Sequence, residues 1–258
     1  MDKNFYHTVD TYPRAFFDKV SMGTSLYFAV SFLAKLVGNR QLAMANKFDT
    51  KTWAARSMDI FRLIESCGGR FNLEGLDNIS KTTGPVVFIS NHMSMLETMV
   101  FPGLIASKRE VTFVVKQSLV AHPLFGPVMR ARNPITVERH DPIADFKKVM
   151  SLGVENLKKN ISVVVFPQSK RLVDFDPKNF NTLGIKLAKK AGVHVVPVAI
   201  KTDFWKNGKW VKDIGHLDRK LPIYMHFGAP FKIEGPGKKE HQMVIDFIAD
   251  CLHRWGRL

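Results

Sequence analysis

Cysteine is scarce in this sequence: only Cys67 and Cys251 occur among 258 residues. Neither lies in a C-x-x-C pattern or at a spacing typical of metal ligands. This argues against a disulfide framework and a cysteine-based metal site, and we expect two reduced thiols, as in a cytoplasm. No other cluster of metal-ligating residues stands out, so we expect neither a metal nor a resident cofactor.

A long apolar run is also missing. The longest one, residues 25–37, contains Lys35 and spans 13 residues. As a helix it would be about 20 Å long, whereas the hydrocarbon core of a bilayer is about 30 Å thick. The segment is therefore too short to cross a membrane comfortably, but it can lie in the interface. The first 24 residues carry scattered charges and no apolar core, so we expect no secretory signal.

Acidic residues are few, with 23 Asp and Glu against 38 Lys and Arg, which gives a net charge of +15. Such a chain is attracted to nucleic acid, anionic lipid headgroups or phosphorylated small molecules. The basic residues are spread along the chain, and the sequence shows no zinc finger, RNP aromatic motif or array of basic helices. We therefore expect a membrane lipid surface as a partner and no nucleic acid.

Residues 14–66 show the pattern of two helices, with Gly38-Asn39 as a stop signal between them. Aromatic residues stand beside Lys and Arg in this region, which is typical of a helix pair at a membrane interface. Packing of the pair on the main domain is the alternative that the same pattern allows. We therefore divide the chain into a helical membrane-interface motif, residues 1–68, and an α/β domain, residues 69–258.

After Gly69, short β-branched runs alternate with helical stretches. The predicted strands are 71–73, 86–89, 111–115, 135–137, 161–166, 194–200 and 223–227. The predicted helices are 94–106, 142–159, 181–191 and 239–255. The second of these helices is clear because Asp141 can cap it and Pro142 can occupy its first turn. The alternation predicts an α/β fold with a largely parallel or mixed sheet covered by helices.

In open sheets of this kind, ligands bind beyond the carboxyl ends of the strands. His92 and Glu97 follow the predicted strand 86–89 and would lie about 140° apart on one helix. They can meet if His92 lies in the loop and Glu97 in the first helical turn, a layout that the Ser94-x-x-Glu97 capping-box pattern favours. Glu97 then either caps its helix only or also orients His92 as a general base. Because no nucleophilic Ser or Cys accompanies the pair, the pattern favours direct deprotonation of an acceptor hydroxyl.

Cations follow three other predicted strands. Lys170 and Arg171 come after strand 161–166, Lys116 after strand 111–115, and Arg139 after strand 135–137. Each one alone is most often a solvated surface charge. Four cations at the expected active edge of one sheet predict a pocket for an anionic headgroup, where the Arg171 guanidinium can bind phosphate with two parallel hydrogen bonds.

Taken together, these residues resemble the glycerolipid acyltransferase family, typified by the 1-acyl-sn-glycerol-3-phosphate acyltransferases. That family has four ordered blocks, and each has a counterpart here. The first, N-H-x-S-x-x-D, corresponds to residues 91–97, and the second, a Lys before a P-x-F-G-like turn and a later Arg, corresponds to Lys116, residues 123–126 and Arg139. The third, F-P-E-G-T-R, corresponds to residues 166–171, and the fourth, an apolar strand with V-P-V, corresponds to residues 195–198. The resemblance implies His92 as the base and Glu97 as its partner. It also implies acyl-CoA or acyl carrier protein as the donor substrate.

Two departures from the family pattern bear on this expectation. Glu97 replaces an aspartate and is one methylene longer, while Gln168, Ser169 and Lys170 replace the Glu, Gly and Thr of the third block. Gln168 can still form hydrogen bonds with the acceptor, but not as an anion. These departures therefore bear on the identity of the acceptor and not on the type of reaction.

The resemblance implies transfer of a fatty acyl group to the sn-2 hydroxyl of lysophosphatidic acid, giving phosphatidic acid at the cytoplasmic face of a membrane as a peripheral or monotopic protein. The expected substrate-binding residues are Lys116, Arg139, Gln168, Lys170 and Arg171. Two alternatives stay open. One is acyl transfer to another lysolipid, and the other is a non-catalytic membrane-surface module that keeps the fold without turnover.

Overall fold

The computed structural model of the protein describes residues 4–21, 24–168, 170–208 and 215–257. The strands are β1 (Tyr6–His7), β2 (Phe71–Glu74), β3 (Val86–Ser90), β4 (Val111–Lys116), β5 (Ile135–Val137), β6 (Ser162–Val165), β7 (His194–Lys201) and β8 (Ile223–Phe227). Within the described ranges they form one eight-stranded sheet in the order β1-β2-β8-β7-β3-β6-β4-β5.

The helices that cover this sheet are α1 (Phe16–Val20), α2 (Leu26–Met44), α3 (Thr50–Ser66), α4 (Leu96–Ile105), α5 (Gln117–Ala121), α6 (Gly126–Ala131), α7 (Pro142–Lys158), α8 (Leu183–Ala191) and α9 (Lys238–Arg254). Short 3-10 turns occupy Leu76–Ile79 and Pro177–Asn179. The start of α7 is as predicted, because the Asp141 side chain accepts hydrogen bonds from two backbone N–H groups of the first turn.

The sheet is mixed. The strand pairs β2–β8, β8–β7 and β1–β2 lie at one side of it; the first is parallel and the other two are antiparallel. The strands β7, β3, β6, β4 and β5 run parallel to one another. The predicted fold class, an α/β fold with a largely parallel or mixed sheet covered by helices, is confirmed.

Each face of the sheet carries its own hydrophobic core. Along β3, Val86 and Phe88 pack into the core that contains α2, α3 and α4, whereas Val87 and Ile89 pack into the core that contains α7, α8 and α9. Successive side chains of a strand point to opposite faces, so a strand that is covered on both faces reads as a continuous apolar run. The burial of every residue of β3 follows from this arrangement.

The predicted helix stop at Gly38-Asn39 is wrong, because α2 continues through both residues. Asn39 is buried on the inner face of α2, in the same row as Leu36 and Ala43. This packing outweighs the cost of about 1 kcal/mol for a glycine inside a helix. The chain turns instead near Asn46, which adopts a left-handed conformation with φ +56°.

The N-terminal helices contact the α/β domain and also present apolar side chains to the outside. Strand β1 pairs with β2, and α3 contributes several residues to the core beneath α4. The outer apolar stripe of α1 and α2, with exposures between 39% and 71%, consists of Phe16, Phe17, Val20, Leu26, Val30, Leu33 and Val37. None of the helices in the described ranges has the length and apolarity needed to cross a membrane. The boundary at residue 68 and the membrane role of residues 1–68 stay predictions, and residues 1–3 and 22–23 lie outside the described ranges.

A buried carboxylate fixes α1 to the rest of the molecule. Asp18 is fully buried and accepts hydrogen bonds from Arg14 Nε and Arg219 Nη2, each at 2.7 Å. Arg219 also donates to the carbonyl oxygens of Cys67 and Thr24, both at 3.0 Å. The guanidinium groups therefore hold the helix that carries Phe16 and Phe17 in one orientation.

We expect the substitution Asp18→Asn to lower the free energy of unfolding by about 3 kcal/mol, because it leaves two partly buried guanidinium groups without their counter-charge. Urea denaturation followed by circular dichroism measures this change. The control is Asp10→Asn, which removes an exposed carboxylate from the same segment and should shift the midpoint little. Equal midpoints for the two variants would contradict the anchoring role of Asp18.

Candidate active site

The sheet brings the candidate residues to one edge. Strands β3, β6, β4 and β5 are neighbours in that order and run parallel. The segments that follow them therefore leave the sheet at the same edge. Neighbouring strands are about 4.8 Å apart, so the strand that precedes His92 lies roughly 5 Å from β6, 10 Å from β4 and 14 Å from β5.

His92 lies in the loop between β3 and α4, and Glu97 lies in the first turn of α4. His92 Nδ1 is 2.8 Å from Glu97 Oε1, so the predicted layout brings the two side chains together. The helix begins at Leu96, one residue later than the capping-box pattern predicts, and Ser94 Oγ accepts a hydrogen bond from the Leu96 N–H at 3.1 Å. Glu97 Oε1 also accepts from the Ser94 N–H at 2.9 Å. The carboxylate therefore both caps the helix and contacts His92.

The carboxyl group of Glu97 is fully buried and surrounded by donors. Oε1 accepts from His92 Nδ1, from the Met93 N–H at 2.7 Å and from the Ser94 N–H. Oε2 lies 2.7 Å from Thr202 Oγ1 and 3.0 Å from Ser94 Oγ. Burial alone would raise the pKa of Glu97, but the hydrogen bond and charge of His92, followed by Thr202 and the Ser94 N–H, outweigh it and hold the pKa below 4.5.

An ionised Glu97 fixes the tautomer of His92. A carboxylate accepts hydrogen bonds but cannot donate one, so the proton between the two side chains is carried by His92 Nδ1. Nε2 is then the ring nitrogen with a lone pair that can accept a proton. The ring stacks on Phe166, with centroids 4.3 Å apart and an interplanar angle of 22°. Phe166 thus fixes the orientation of the imidazole ring, and the buried carboxylate of Glu97 fixes its tautomer.

Asn91 attaches the His92 loop to strand β7. Its Nδ2 donates to the Ile200 carbonyl oxygen and its Oδ1 accepts from the Ile200 N–H, both at 2.9 Å. The side chain thereby pairs with the strand as a neighbouring backbone segment would. Because Asn91 precedes His92 directly, this pair of hydrogen bonds fixes where the loop leaves the sheet.

The segment after β6 packs against the same loop. Gln168 Oε1 accepts from the His92 N–H at 2.7 Å, and the Leu172 N–H donates to the His92 carbonyl oxygen at 2.9 Å. Arg171 Nη2 lies 3.5 Å from Met95 Sδ. The third block of the sequence pattern, with Leu172 directly after it, therefore holds the backbone of His92 through both its N–H and its carbonyl oxygen.

Gln168 stands where the family pattern has glutamate. The replacement keeps a side-chain oxygen that accepts the hydrogen bond from the His92 N–H. A glutamate oxygen could accept the His92 N–H just as the glutamine Oε1 does. The second group differs, because Gln168 Nε2 is a donor; it is buried and has no hydrogen-bond partner among the described residues. Ser169, which replaces the glycine of this block, lies outside those residues.

The four cations lie at or after the carboxyl ends of parallel strands but differ in exposure. Lys116 is the last residue of β4 and stands opposite Val137 of β5, while Arg139 follows two residues later; both are exposed. Lys170 is exposed and Arg171 is half-buried next to the His92 loop. Arg171 thus contacts the segment between His92 and Glu97, whereas the other three cations are exposed. Within the described residues, no group of three or more His, Cys, Asp and Glu side chains could hold a metal ion.

Thr202 contacts Glu97 directly and was not among the predicted site residues. It follows the fourth block of the pattern, at the carboxyl end of β7. Ligands bind beyond the carboxyl ends of parallel strands, and this rule applies to β7 as it does to β3. Thr202 could therefore have been selected from its position directly after β7. A lone threonine has no partner in the local sequence, however, and its contact with Glu97 spans 105 residues.

Comparison with known proteins identifies the family of the chain. The model of a family described as acyltransferase matches residues 70–201, a little over half of the chain. A 1-acyl-sn-glycerol-3-phosphate acyltransferase of Pseudomonas aeruginosa is 29% identical over 181 residues, which cover 70% of this chain and 68% of that protein. A chloroplastic 1-acyl-sn-glycerol-3-phosphate acyltransferase of Arabidopsis thaliana is 31% identical over 156 residues, which cover 59% of this chain and only 40% of that protein.

A solved structure has the same fold. The crystal structure of the 1-acyl-sn-glycerophosphate acyltransferase PlsC from Thermotoga maritima superimposes with a TM-score of 0.67 and covers 89% of this chain and 93% of that one. The two sequences are 20% identical over this match. At that identity the superposition establishes the architecture of the sheet and its helices.

Proposed function

Because the chain belongs to the acyltransferase family whose model matches residues 70–201, we propose that it transfers a fatty acyl group to the sn-2 hydroxyl of a 1-acyl-sn-glycerol 3-phosphate. The product is phosphatidic acid, and the donor is acyl-CoA or acyl carrier protein. The observation that carries the proposal is the hydrogen bond of 2.8 Å between His92 Nδ1 and the buried Glu97, at the edge of the sheet where the cations also lie. The names of the relatives support the choice of acceptor.

In the proposed mechanism, His92 Nε2 removes the proton of the acceptor hydroxyl as its oxygen attacks the thioester carbonyl carbon. The negative charge of Glu97 stabilises the imidazolium that forms. The carbon–sulfur bond then breaks, the thiolate leaves, and the proton held by His92 returns to the sulfur. An ester bond replaces a thioester bond, and no covalent acyl-enzyme is needed.

The headgroup of the acceptor supplies the second part of the proposal. Its phosphate would contact Arg171 first, because this guanidinium lies beside the His92 loop. Lys116 and Arg139 have long side chains that extend the positive charge towards β4 and β5, and Lys170 is a weaker candidate. Fixing the phosphate in this way would hold the sn-2 hydroxyl near Nε2, and such positioning can supply much of a rate enhancement. Gln168 Nε2 is a donor that an oxygen of the substrate could satisfy.

The outer apolar stripe supports work at a lipid surface. Contiguous exposed apolar residues mark sites of membrane or protein contact, and here they lie on two helices of a chain with a net charge of +15. We propose that the stripe enters the interface of an anionic membrane from the cytoplasmic side. The lysolipid could then reach His92 without leaving the membrane surface.

The double substitution Phe17→Asp/Leu33→Asp should weaken binding to anionic vesicles by about 100-fold or more, since two apolar side chains are lost and each contributes about 1.5–3 kcal/mol when buried. Co-sedimentation with vesicles measures the change. Met243→Asp is the matched control, because Met243 is an exposed apolar residue of α9, on the other face of the sheet. Equal binding by both variants would show that the stripe does not contact the membrane.

Mass spectrometry tests the reaction itself. Purified protein on anionic vesicles is given 1-acyl-sn-glycerol 3-phosphate and either a mixture of acyl-CoAs or acyl carrier proteins, in separate reactions. The expected result is phosphatidic acid, and the reaction that yields it identifies the donor. A parallel panel of zwitterionic lysophospholipids and lyso-aminolipids tests the acceptor. Faster transfer to one of these would overturn the proposed acceptor, and vesicle binding without transfer to any acceptor would indicate a non-catalytic module.

A further inference from the structure

Thr202 lies at the end of β7, fully buried against Glu97. Its Oγ1 is 2.7 Å from Glu97 Oε2 and 3.1 Å from Ser94 Oγ. Its backbone N–H is 3.4 Å from Met93 Sδ. The residue directly after β7 thus contacts three positions of the segment that follows β3.

Which side chain donates in each of these hydrogen bonds follows from which of them carries a proton. The ionised carboxylate of Glu97 has no proton to donate, so the proton in the contact of 2.7 Å belongs to Thr202. Ser94 has one hydroxyl proton and two acceptors within reach, Glu97 Oε2 at 3.0 Å and Thr202 Oγ1 at 3.1 Å. The Thr202 hydroxyl is therefore committed to the carboxylate, while that of Ser94 is shared.

This hydrogen bond restricts the rotation of the carboxylate. The terminal torsion of a glutamate is broad and roughly two-fold, so contacts to one oxygen alone leave the plane of the group poorly defined. Glu97 Oε1 is held by His92 and two backbone N–H groups, whereas Oε2 has the committed Thr202 hydroxyl at 2.7 Å and the shared Ser94 hydroxyl at 3.0 Å. Glutamate also has one more rotatable bond than the aspartate of the family pattern, so more freedom must be lost to hold it.

We propose that Thr202 is a positioning residue that fixes the carboxylate of Glu97 against His92 Nδ1, and that its hydroxyl accommodates the extra methylene of a glutamate at position 97. Asn91 binds Ile200 of the same strand. Strand β7 therefore orients both ends of the segment from residue 91 to residue 97. The effect of Thr202 on turnover rests on the proposed acyl transfer, whereas its effect on the His92 tautomer does not.

The substitution Thr202→Val replaces the hydroxyl with a methyl group of similar size. We expect kcat to fall about 10-fold with little change in either KM, because one hydrogen bond to a buried charged group is lost. Thr202→Ser keeps the hydroxyl and should restore most of the loss. Thr112→Val is the matched control, since Thr112 is a buried threonine of β4 whose hydroxyl contacts two backbone carbonyl oxygens. It should lower stability to a similar extent and leave kcat unchanged.

Nitrogen-15 NMR of labelled histidine provides a measurement that does not need substrate. His92, assigned by comparison with His92→Ala, should carry its proton on Nδ1 in the wild type and in Thr202→Ser, and should populate the Nε2–H tautomer in Thr202→Val. A wild-type spectrum in Thr202→Val, or an equal loss of kcat in Thr112→Val, would overturn the proposal. If wild-type protein transfers no acyl group, the proposed function fails and the tautomer comparison still decides the role of Thr202.

A double-mutant cycle tests the link to glutamate. In a Glu97→Asp background the shorter carboxylate cannot reach Thr202 as well, so adding Thr202→Val should cost clearly less than in the wild type. If Thr202→Val lowered kcat by the same factor in both backgrounds, the effect of Thr202 would not depend on the length of the side chain at position 97. The tautomer population of His92 can be compared across the same four proteins.

Discussion

Replacing His92 with alanine is expected to lower kcat/KM for acyl transfer by about 1,000-fold, because a positioned general base contributes about 100- to 10,000-fold and alanine has no group that accepts a proton. The imidazole is 14% exposed, stacks on Phe166 and hydrogen-bonds the buried Glu97, so its loss should also lower the melting temperature. Vesicle binding should change little. The time course of phosphatidic acid formation, followed by mass spectrometry, measures the effect.

The control for this experiment is His253→Ala, which removes an exposed histidine from α9. It should retain wild-type turnover. If His92→Ala kept activity within about tenfold of the wild type, another group would have to accept the proton. The hydrogen bond between His92 and Glu97 would then serve only to hold the loop.

The alternation of strands and helices was predictable because each element carries its own pattern. Apolar runs such as Val86–Ile89 in β3 are buried on both faces, and this can be read from consecutive residues. Strand β1 was missed because its two residues gain stability only from pairing with β2, some 65 positions away. The stop at Gly38-Asn39 was wrong for a related reason. Local propensity disfavours a helix there, but the buried row that includes Leu36 and Ala43 stabilises it.

In the site, too, contacts within one short segment were predictable and contacts between distant segments were not. His92 and Glu97 are five residues apart, so one loop and one helical turn were enough to predict that they meet. Gln168 was selected because it takes the place of the glutamate in the third block of the family pattern, but its contact with the His92 N–H depends on β6 lying beside β3. The contact of Thr202 with Glu97 depends on β7 lying beside β3, on the side opposite β6. The roles of these two residues therefore depend on the order of strands, which a single sequence does not specify.

Replacing Glu97 with glutamine is expected to lower kcat about 100-fold while the protein stays folded. Glutamine has the same length and can still cap α4, but it carries no negative charge to stabilise the imidazolium of His92 in a fully buried site. Steady-state kinetics over a range of pH measures the loss. Glu240→Gln is the matched control, since Glu240 is a buried glutamate of α9 that accepts a hydrogen bond from the Glu234 N–H. Full turnover with an unchanged pH profile in Glu97→Gln would refute charge stabilisation.

The stability of the same variant should depend on pH in a defined direction. Burial tends to raise the pKa of Glu97, but the hydrogen bond and charge of His92 hold it below 4.5. A carboxyl group with a lowered pKa in the folded state stabilises the protein fully above pH 4.5, and this contribution is lost as the pH falls through the folded pKa. The wild type should therefore exceed Glu97→Gln in free energy of unfolding at neutral pH, and the difference should shrink on acidification below 4.5. Urea denaturation at both conditions measures it, and a difference that grew on acidification would mean that Glu97 is buried as the neutral acid, which cannot stabilise a charged His92.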